Sequence, residues 1–156
     1  MADNLNDLTE PKRPLMIIGP VASGKSSLLA ALEMGPQVVR KTESLTYNQA
    51  LSIDTPGEML AIPRLYNALI LNSSRAKVVL MVMNADRPIW LPAKIALALK
   101  APVVGIITKM DLADDQAADK AARSLTIAGA TKIFQVSVVT GQGLSDLRDF
   151  LAQGIF

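Results

Sequence analysis

Residues Gly19 to Ser26 read Gly-Pro-Val-Ala-Ser-Gly-Lys-Ser. Two glycines at this spacing, followed by lysine and serine, match a loop whose successive backbone N–H groups curl around phosphate oxygens. The segment Gly19, Val21, Ala22, Ser23, Gly24, Lys25, Ser26 and Ser27 is therefore the candidate phosphate cradle. It opens a helix whose dipole favours negative charge. Lys25 is placed to reach the β- and γ-phosphates, and Ser26 to offer its hydroxyl to Mg²⁺. Gly19 and Gly24 stand where a Cβ would obstruct the turn or the ligand. An ordinary strand-to-helix turn with a surface lysine is the plain alternative. The flanks argue against it: the apolar run Leu15-Met16-Ile17-Ile18 precedes the loop and the helical pattern Ser27 to Leu32 follows it.

Three further groups of residues follow candidate strands. Asp54-Thr55-Pro56-Gly57 comes after Leu51-Ser52-Ile53, 28 positions beyond Ser26. There a carboxylate can hold a Mg²⁺-bound water, and the N–H of Gly57 can meet the γ-phosphate. The same four residues also make a good plain turn. After Ile106-Ile107 comes Thr108-Lys109-Met110-Asp111, whose carboxylate can accept from the N1–H and exocyclic amine of guanine. Adenine has no such pair of donors, so Asp111 is the candidate specificity residue, with the Lys109 stem over the base plane. A solvated Lys-Asp pair is the bland reading. Ser137-Val138-Val139-Thr140-Gly141 follows a strand at 133–136 and can supply a backbone N–H to the guanine oxygen.

The chain has 156 residues, half of them hydrophobic, which is enough for one substantial core and too few for two ordinary domains. It contains no cysteine and no histidine. Thiolate or histidine metal sites, disulfides and histidine bases are thereby excluded. The 16 basic and 14 acidic residues are dispersed, with no basic block of the kind that binds nucleic acid. Residues 1–13 form a polar tail without a signal-peptide core, and Val78 to Met83 is too short for a membrane span. A cytoplasmic protein is the expectation, and a homo-oligomer is left open.

The elements that must position these residues are legible from apolar periodicity. Strand-like runs at 15–18, 77–83, 103–107 and 133–138 alternate with helical segments near 25–34, 60–73, 92–100, 115–128 and 144–153. Weaker strand candidates lie at 43–47 and 50–54. Continuous apolar strands imply burial on both faces, hence a parallel sheet between helices. The fold class is a three-layer α/β domain over 14–156, with ligands at the carboxyl ends of the strands. In the last helix Leu144, Leu147, Phe150 and Leu151 form one stripe, and Leu65, Ala68 and Leu69 read as a helix face packed on the sheet beside Arg64 and Tyr66. Trp90 could anchor a partner, but the surface it must bury favours a ring folded back on the core. Leu5 and Leu8 suit one turn of a docking helix, against the simpler reading of a solvent-facing tail.

This ordered set resembles the small GTP-binding proteins of the P-loop class from Leu15 to Leu151. The combination Arg40-Lys41-Thr42, Ile53-Asp54-Thr55-Pro56-Gly57-Glu58 and Pro63-Arg64-Leu65-Tyr66-Asn67-Ala68-Leu69 resembles the EutP/PduV family more narrowly. That family implies a Ras-like P-loop fold, bound GTP or GDP with Mg²⁺, and service to the ethanolamine and propanediol microcompartments of bacteria. Shell or enzyme proteins of such a compartment are then the implied partners.

Departures from the small-GTPase pattern bear on activity. Thr108 replaces the usual Asn that ties the base loop to the phosphate loop; a Thr can make part of that bonding, as in the Rac subfamily. Thr42 is the candidate hydroxyl for closing on Mg²⁺, with Thr46 as its rival. Val21 stands where Ras-like enzymes have glycine and crowds the space of a catalytic glutamine or arginine finger. Glu58 stands at that glutamine's position, where a carboxylate near the γ-phosphate is repelled unless it points away and orients water. Hydrolysis resting on Lys25, Glu58 and Thr42 is expected to be slow; unassisted Ras itself works at only about 10⁻⁴ s⁻¹. Two other readings fit the same residues. One is a phosphotransferase passing the γ-phosphoryl of ATP or GTP to an acceptor such as acetate. The other is a docking module with a structural nucleotide, which a mean hydropathy of +0.30 leaves open.

Overall fold

The computed structural model describes residues 15–20, 22–33 and 66–153. Four strands, β1 Leu15–Ile18, β2 Val78–Asn84, β3 Val103–Thr108 and β4 Lys132–Gln135, form a parallel sheet in the order β1-β2-β3-β4. The register pairs Leu15 with Val78, Val79 with Val103 and Val104 with Lys132. The helices are α1 Lys25–Glu33, α2 Tyr66–Ser73, α3 Ile95–Ala98, α4 Asp115–Ala128 and α5 Leu144–Gln153. The weaker strand candidates at 43–47 and 50–54 lie outside the described residues, as do the tail 1–13 with Leu5 and Leu8, and the 60–65 part of the expected helix.

Every residue of β2 and β3 is buried, as their uninterrupted apolar sequences require. Two apolar layers flank the sheet. Leu28 of α1 and Leu144 and Leu147 of α5 pack on one face with Ile17, Leu80 and Ile106. Leu69 of α2, Ile95 of α3 and Ala121 and Leu125 of α4 pack on the other with Met16, Met81 and Ile107. Phe150 and Leu151 join the first layer, so the α5 stripe read from sequence is its buried face; of the stripe read at 65–69, Leu69 is buried in the second layer, beside Tyr66, and Leu65 lies outside the described residues.

Several boundaries differ from the sequence reading for local reasons. The helix expected over 92–100 is the single turn α3. Lys94 adopts a left-handed conformation and gives its N–H to the Ile127 carbonyl, while Leu99 is extended and Lys100 donates its N–H to Ser73 Oγ. The strand expected to reach 138 ends at Gln135. The Val136 N–H still reaches the Ile107 carbonyl, but Ser137 turns away and donates instead to the Gln142 carbonyl. Lys132 and Gln135 of β4 are exposed, in contrast with the buried strands beside it, because β4 pairs on one side only among the described residues. Trp90 does not fold back on the core: it is 57% exposed.

The contrast between core and surface leucines is testable by urea denaturation. Leu125→Ala, at a fully buried position of α4, is expected to lower stability by about 2–5 kcal/mol. Leu112→Ala, at a 64% exposed position, is expected to stay within about 0.5 kcal/mol of the parent.

Candidate functional site

At the carboxyl end of the sheet, β1 runs through Gly19 and Pro20 into the loop that opens α1. A Cβ on Gly19 would collide with the Val82 carbonyl of β2, so glycine is needed for the close approach of loop and strand. Gly24 has φ +87, and its carbonyl accepts the N–H of Leu28 in the first turn of α1. Ala22 is also left-handed, with φ 60, a conformation costing a non-glycine residue about 1–2 kcal/mol. Nothing in its residue type announces this strain. The Lys25 ammonium folds over the loop and donates to the carbonyls of Gly19 at 2.9 Å and Pro20 at 2.8 Å. Ser26 and Ser27 are exposed at the head of the helix.

Two bonds join this loop to the end of β3. The Thr108 hydroxyl, buried, donates to the Ser23 carbonyl at 2.5 Å, with the Met83 carbonyl a more distant 3.4 Å away. The Lys109 ammonium donates to the Ala22 carbonyl at 2.9 Å, and the left-handed backbone of Lys109, φ 58, turns its side chain back toward the loop. Thr108 thus makes the connection that the sequence comparison with Asn placed in question. The Ser23 side chain is buried too, but its Oγ has no hydrogen-bond partner among the described residues.

Asp111 sits on the exposed face of a 3-10 turn, Met110–Leu112, directly after Lys109. Its Oδ1 accepts from the Ser137 hydroxyl at 2.7 Å, and the Met110 N–H donates to the Val136 carbonyl. The 137–141 element therefore orients the carboxylate, a role the sequence reading did not give it. Of the backbone N–H groups in the 137–141 segment, that of Ser137 is taken by the Gln142 carbonyl. The N–H groups of Thr140 and Gly141 are likewise engaged, with Ser137 Oγ and the Ser137 carbonyl.

A further pair at this end of the sheet escaped the sequence reading. Asn84, at the last position of β2, donates from Nδ2 to Asp86 Oδ1 at 2.9 Å. That hydrogen bond, aided by the charges of Lys109 and Arg87, holds the Asp86 carboxyl below its ordinary value despite partial burial. The available signal was its place, since Asn84-Ala85-Asp86 follows a strand just as the other motifs do. Val21, Thr42, Thr46, Asp54, Gly57 and Glu58 lie outside the described residues. Among the described residues no cluster of three acidic, histidine or cysteine side chains could hold a metal, and no helix is long and apolar enough to cross a membrane.

The profile of a family described as ethanolamine utilisation and propanediol utilisation, PduV-EutP, matches residues 12–153. The chain belongs to the PduV-EutP family. It is 34% identical over 139 residues to the propanediol utilization protein PduV of Citrobacter freundii, covering 88% of this chain and 91% of that protein. It is 29% identical over 140 residues to the probable acetate kinase EutP of Escherichia coli K12, covering 88% of each. Among solved structures, elongation factor SelB of Methanococcus maripaludis, in complex with the GTP analogue GppNHp, superposes with a TM-score of 0.60 at 18% identity. The match covers 90% of this chain and 33% of that one. The cytosolic domain of the T. maritima FeoB iron transporter, in its GMPPNP form, gives 0.56 at 23% identity over 90% of this chain and 63% of that one. This PduV-EutP chain therefore has the three-layer α/β fold of P-loop GTPases.

The loop-to-loop tie has a measurable energetic signature. Thr108→Val is expected to lower stability by about 1–3 kcal/mol in urea titrations, because it removes the partner of a buried carbonyl, whereas Thr108→Ser is expected to retain most of it. Ser23→Ala removes a hydroxyl that has no hydrogen-bond partner among the described residues and is expected to be neutral or slightly stabilising.

Proposed function

We propose that the chain is a Mg²⁺-dependent guanine-nucleotide-binding protein with slow GTP hydrolysis, built as one P-loop domain over residues 14–156. The observation that carries this reading is the fixed arrangement of Asp111. Its carboxylate is exposed, held by Ser137 and linked through Lys109 and Thr108 to the phosphate loop. A carboxylate offers two acceptor oxygens, which suit the two neighbouring N–H groups of guanine, while the amide of Val138 suits its carbonyl oxygen. The Lys109 stem covers the base plane. The GTP analogues named in the SelB and FeoB structures support the same class of ligand.

Gly19 to Ser27 would cradle the phosphates, with Lys25 already over the loop mouth and able to exchange carbonyl partners for phosphate oxygens. The donors assigned to the metal are Ser26, Thr42 and Asp54, the last through water. An all-oxygen set without histidine or cysteine fits Mg²⁺, a hard ion, rather than a transition metal. Bound Mg²⁺ would offset charge on the β- and γ-phosphates. Lys25 stabilises the charge that develops on the phosphoryl oxygens as water attacks phosphorus and the bond to the bridging oxygen breaks. Gly57 senses the γ-phosphate. Glu58 replaces a neutral water-positioning side chain with a charged one, which keeps the reaction slow.

The family's link to ethanolamine and propanediol utilisation supports a cytoplasmic protein serving that metabolism, with microcompartment shell or enzyme proteins as partners. A second reading is supported by the relatives named probable acetate kinase. In it an acetate oxygen, in place of water, takes the γ-phosphoryl group and the nucleoside diphosphate leaves.

Titration of nucleotide-stripped protein with fluorescent GDP and Mg²⁺, competed separately by GTP, GDP and ATP, tests base choice. Guanine nucleotides alone are expected to compete, and Asp111→Asn is expected to weaken GDP at least tenfold and shift preference toward xanthine nucleotides. Equal competition by ATP would overturn the guanine reading. Radiolabel from the γ-position is expected in inorganic phosphate; its appearance in acetyl phosphate on adding acetate would instead establish the transferase.

A further inference from the structure

Trp90 is the chain's only tryptophan, and the structure holds it outward. A single buried hydroxyl clamps both neighbours: Ser124 Oγ donates to the Ile89 carbonyl at 2.7 Å and accepts from the Leu91 N–H at 2.9 Å. The Ile89 N–H is in turn directed at Met83 Sδ. The backbone on both sides of Trp90 is thereby fixed, and its side chain stands exposed. Lys120 lies one helical turn before Ser124 on α4, with its ammonium 5.5 Å from the indole centroid. Ile127, nearly one turn after Ser124, gives its carbonyl to the Lys94 N–H. The chain from Ile89 to Leu97 thus follows one stripe of α4. Ile89, Trp90, Leu97 and Ile127, between 45% and 73% exposed, form an apolar ridge along it.

The ridge is flanked by positive charge. Lys94 and Lys120 border it, while the charge of Arg87 acts on the Asp86 carboxylate and Arg123 is engaged with Asp119 at 3.0 Å. The complementary chemistry is a short segment with two apolar side chains sharing a face and several carboxylates. Residues 1–10 have that composition: Leu5 and Leu8 are three positions apart among Asp3, Asp7 and Glu10, with no lysine or arginine. Reach is favourable as well. Because β3 and β4 are parallel, α4 runs back between them, so Ile127 lies toward the end of the sheet where β1 begins at Leu15. Two strand spacings and one layer separate β1 from α4, about 10 Å each way, whereas the seven residues from Leu8 to Leu15 span up to about 23–25 Å. We propose that the Trp90–Ile127 ridge is a docking surface whose occupant is the chain's own acidic segment, residues 1–10, seated through Leu5 and Leu8.

The lone tryptophan reports on its own site. In the full chain, Leu5→Ser with Leu8→Ser is expected to red-shift Trp90 emission and raise its acrylamide quenching at least twofold. A synthetic peptide of residues 1–14 added to that variant is expected to reverse both changes saturably, less strongly at 0.5 M NaCl. Leu97→Asp in the same background is expected to abolish the peptide response, with far-UV circular dichroism confirming that the fold is kept. Unchanged emission and quenching in the double serine variant would overturn the proposal. So would Trp90 protection that rises with protein concentration and survives the serine substitutions, which would identify a second copy as the occupant.

Discussion

The bond from the Thr108 hydroxyl to the Ser23 carbonyl joins residues 85 positions apart and fixes the distance between the two loops that matter most. One loop carries the candidate phosphate-binding motif, and the other presents a carboxylate held by Ser137. Neither can shift independently while that buried bond is intact. The second connection, Lys109 to Ala22, lies at the surface and is exposed to competition from water. The hydroxyl of Thr108 is shorter than the amide it replaces, so the loops must approach closely. The ordinary contact distance of 3.5 Å between a Cβ built on Gly24 and Thr108 Oγ1 shows how near they lie.

The sheet makes this arrangement possible. With β1, β2 and β3 parallel and adjacent, their carboxyl ends emerge at one edge: Gly19 just after β1, Asn84 as the last residue of β2 and Thr108 as the last of β3. Burial of β2 and β3 on both faces removes any freedom to slip by one residue, since a slip would exchange the side chains facing the two apolar layers. The site's accuracy therefore derives from apolar packing far larger in extent than the polar contacts it positions. Ala22 held at positive φ is local strain, supported by the same framework.

The outer face of α4 shows a different use of a single buried polar group. Ser124 donates to the Ile89 carbonyl and accepts from the Leu91 N–H, replacing hydrogen bonds that the irregular 89–91 segment does not make with itself. Its consequence is a surface tryptophan with a defined direction. The expectation of an inward ring rested on the area tryptophan can bury; the ring is exposed instead, on a segment whose backbone that clamp fixes.

The sequence alone determined the alternation of the described strands and helices, the buried face of α5, and which residues are candidates for phosphate binding and base reading. Each of these is written in local periodicity or in a spacing of a few residues. The same local information placed the ends of α4 correctly, where Asp114 caps the first turn, and overextended α3 and β4, whose ends depend on Ile127, Ser73 and Gln142. Only the tertiary structure decided that Thr108 reaches Ser23, that Ser137 orients Asp111 with its hydroxyl and not its amide, that Asn84 and Asp86 join this edge, and that Trp90 faces outward. These outcomes rest on pairings between residues from 26 to 85 positions apart, and in the Asn84 pair on where a strand ends within the sheet. Side-chain reach across such separations is set by how the layers pack, which no local pattern encodes.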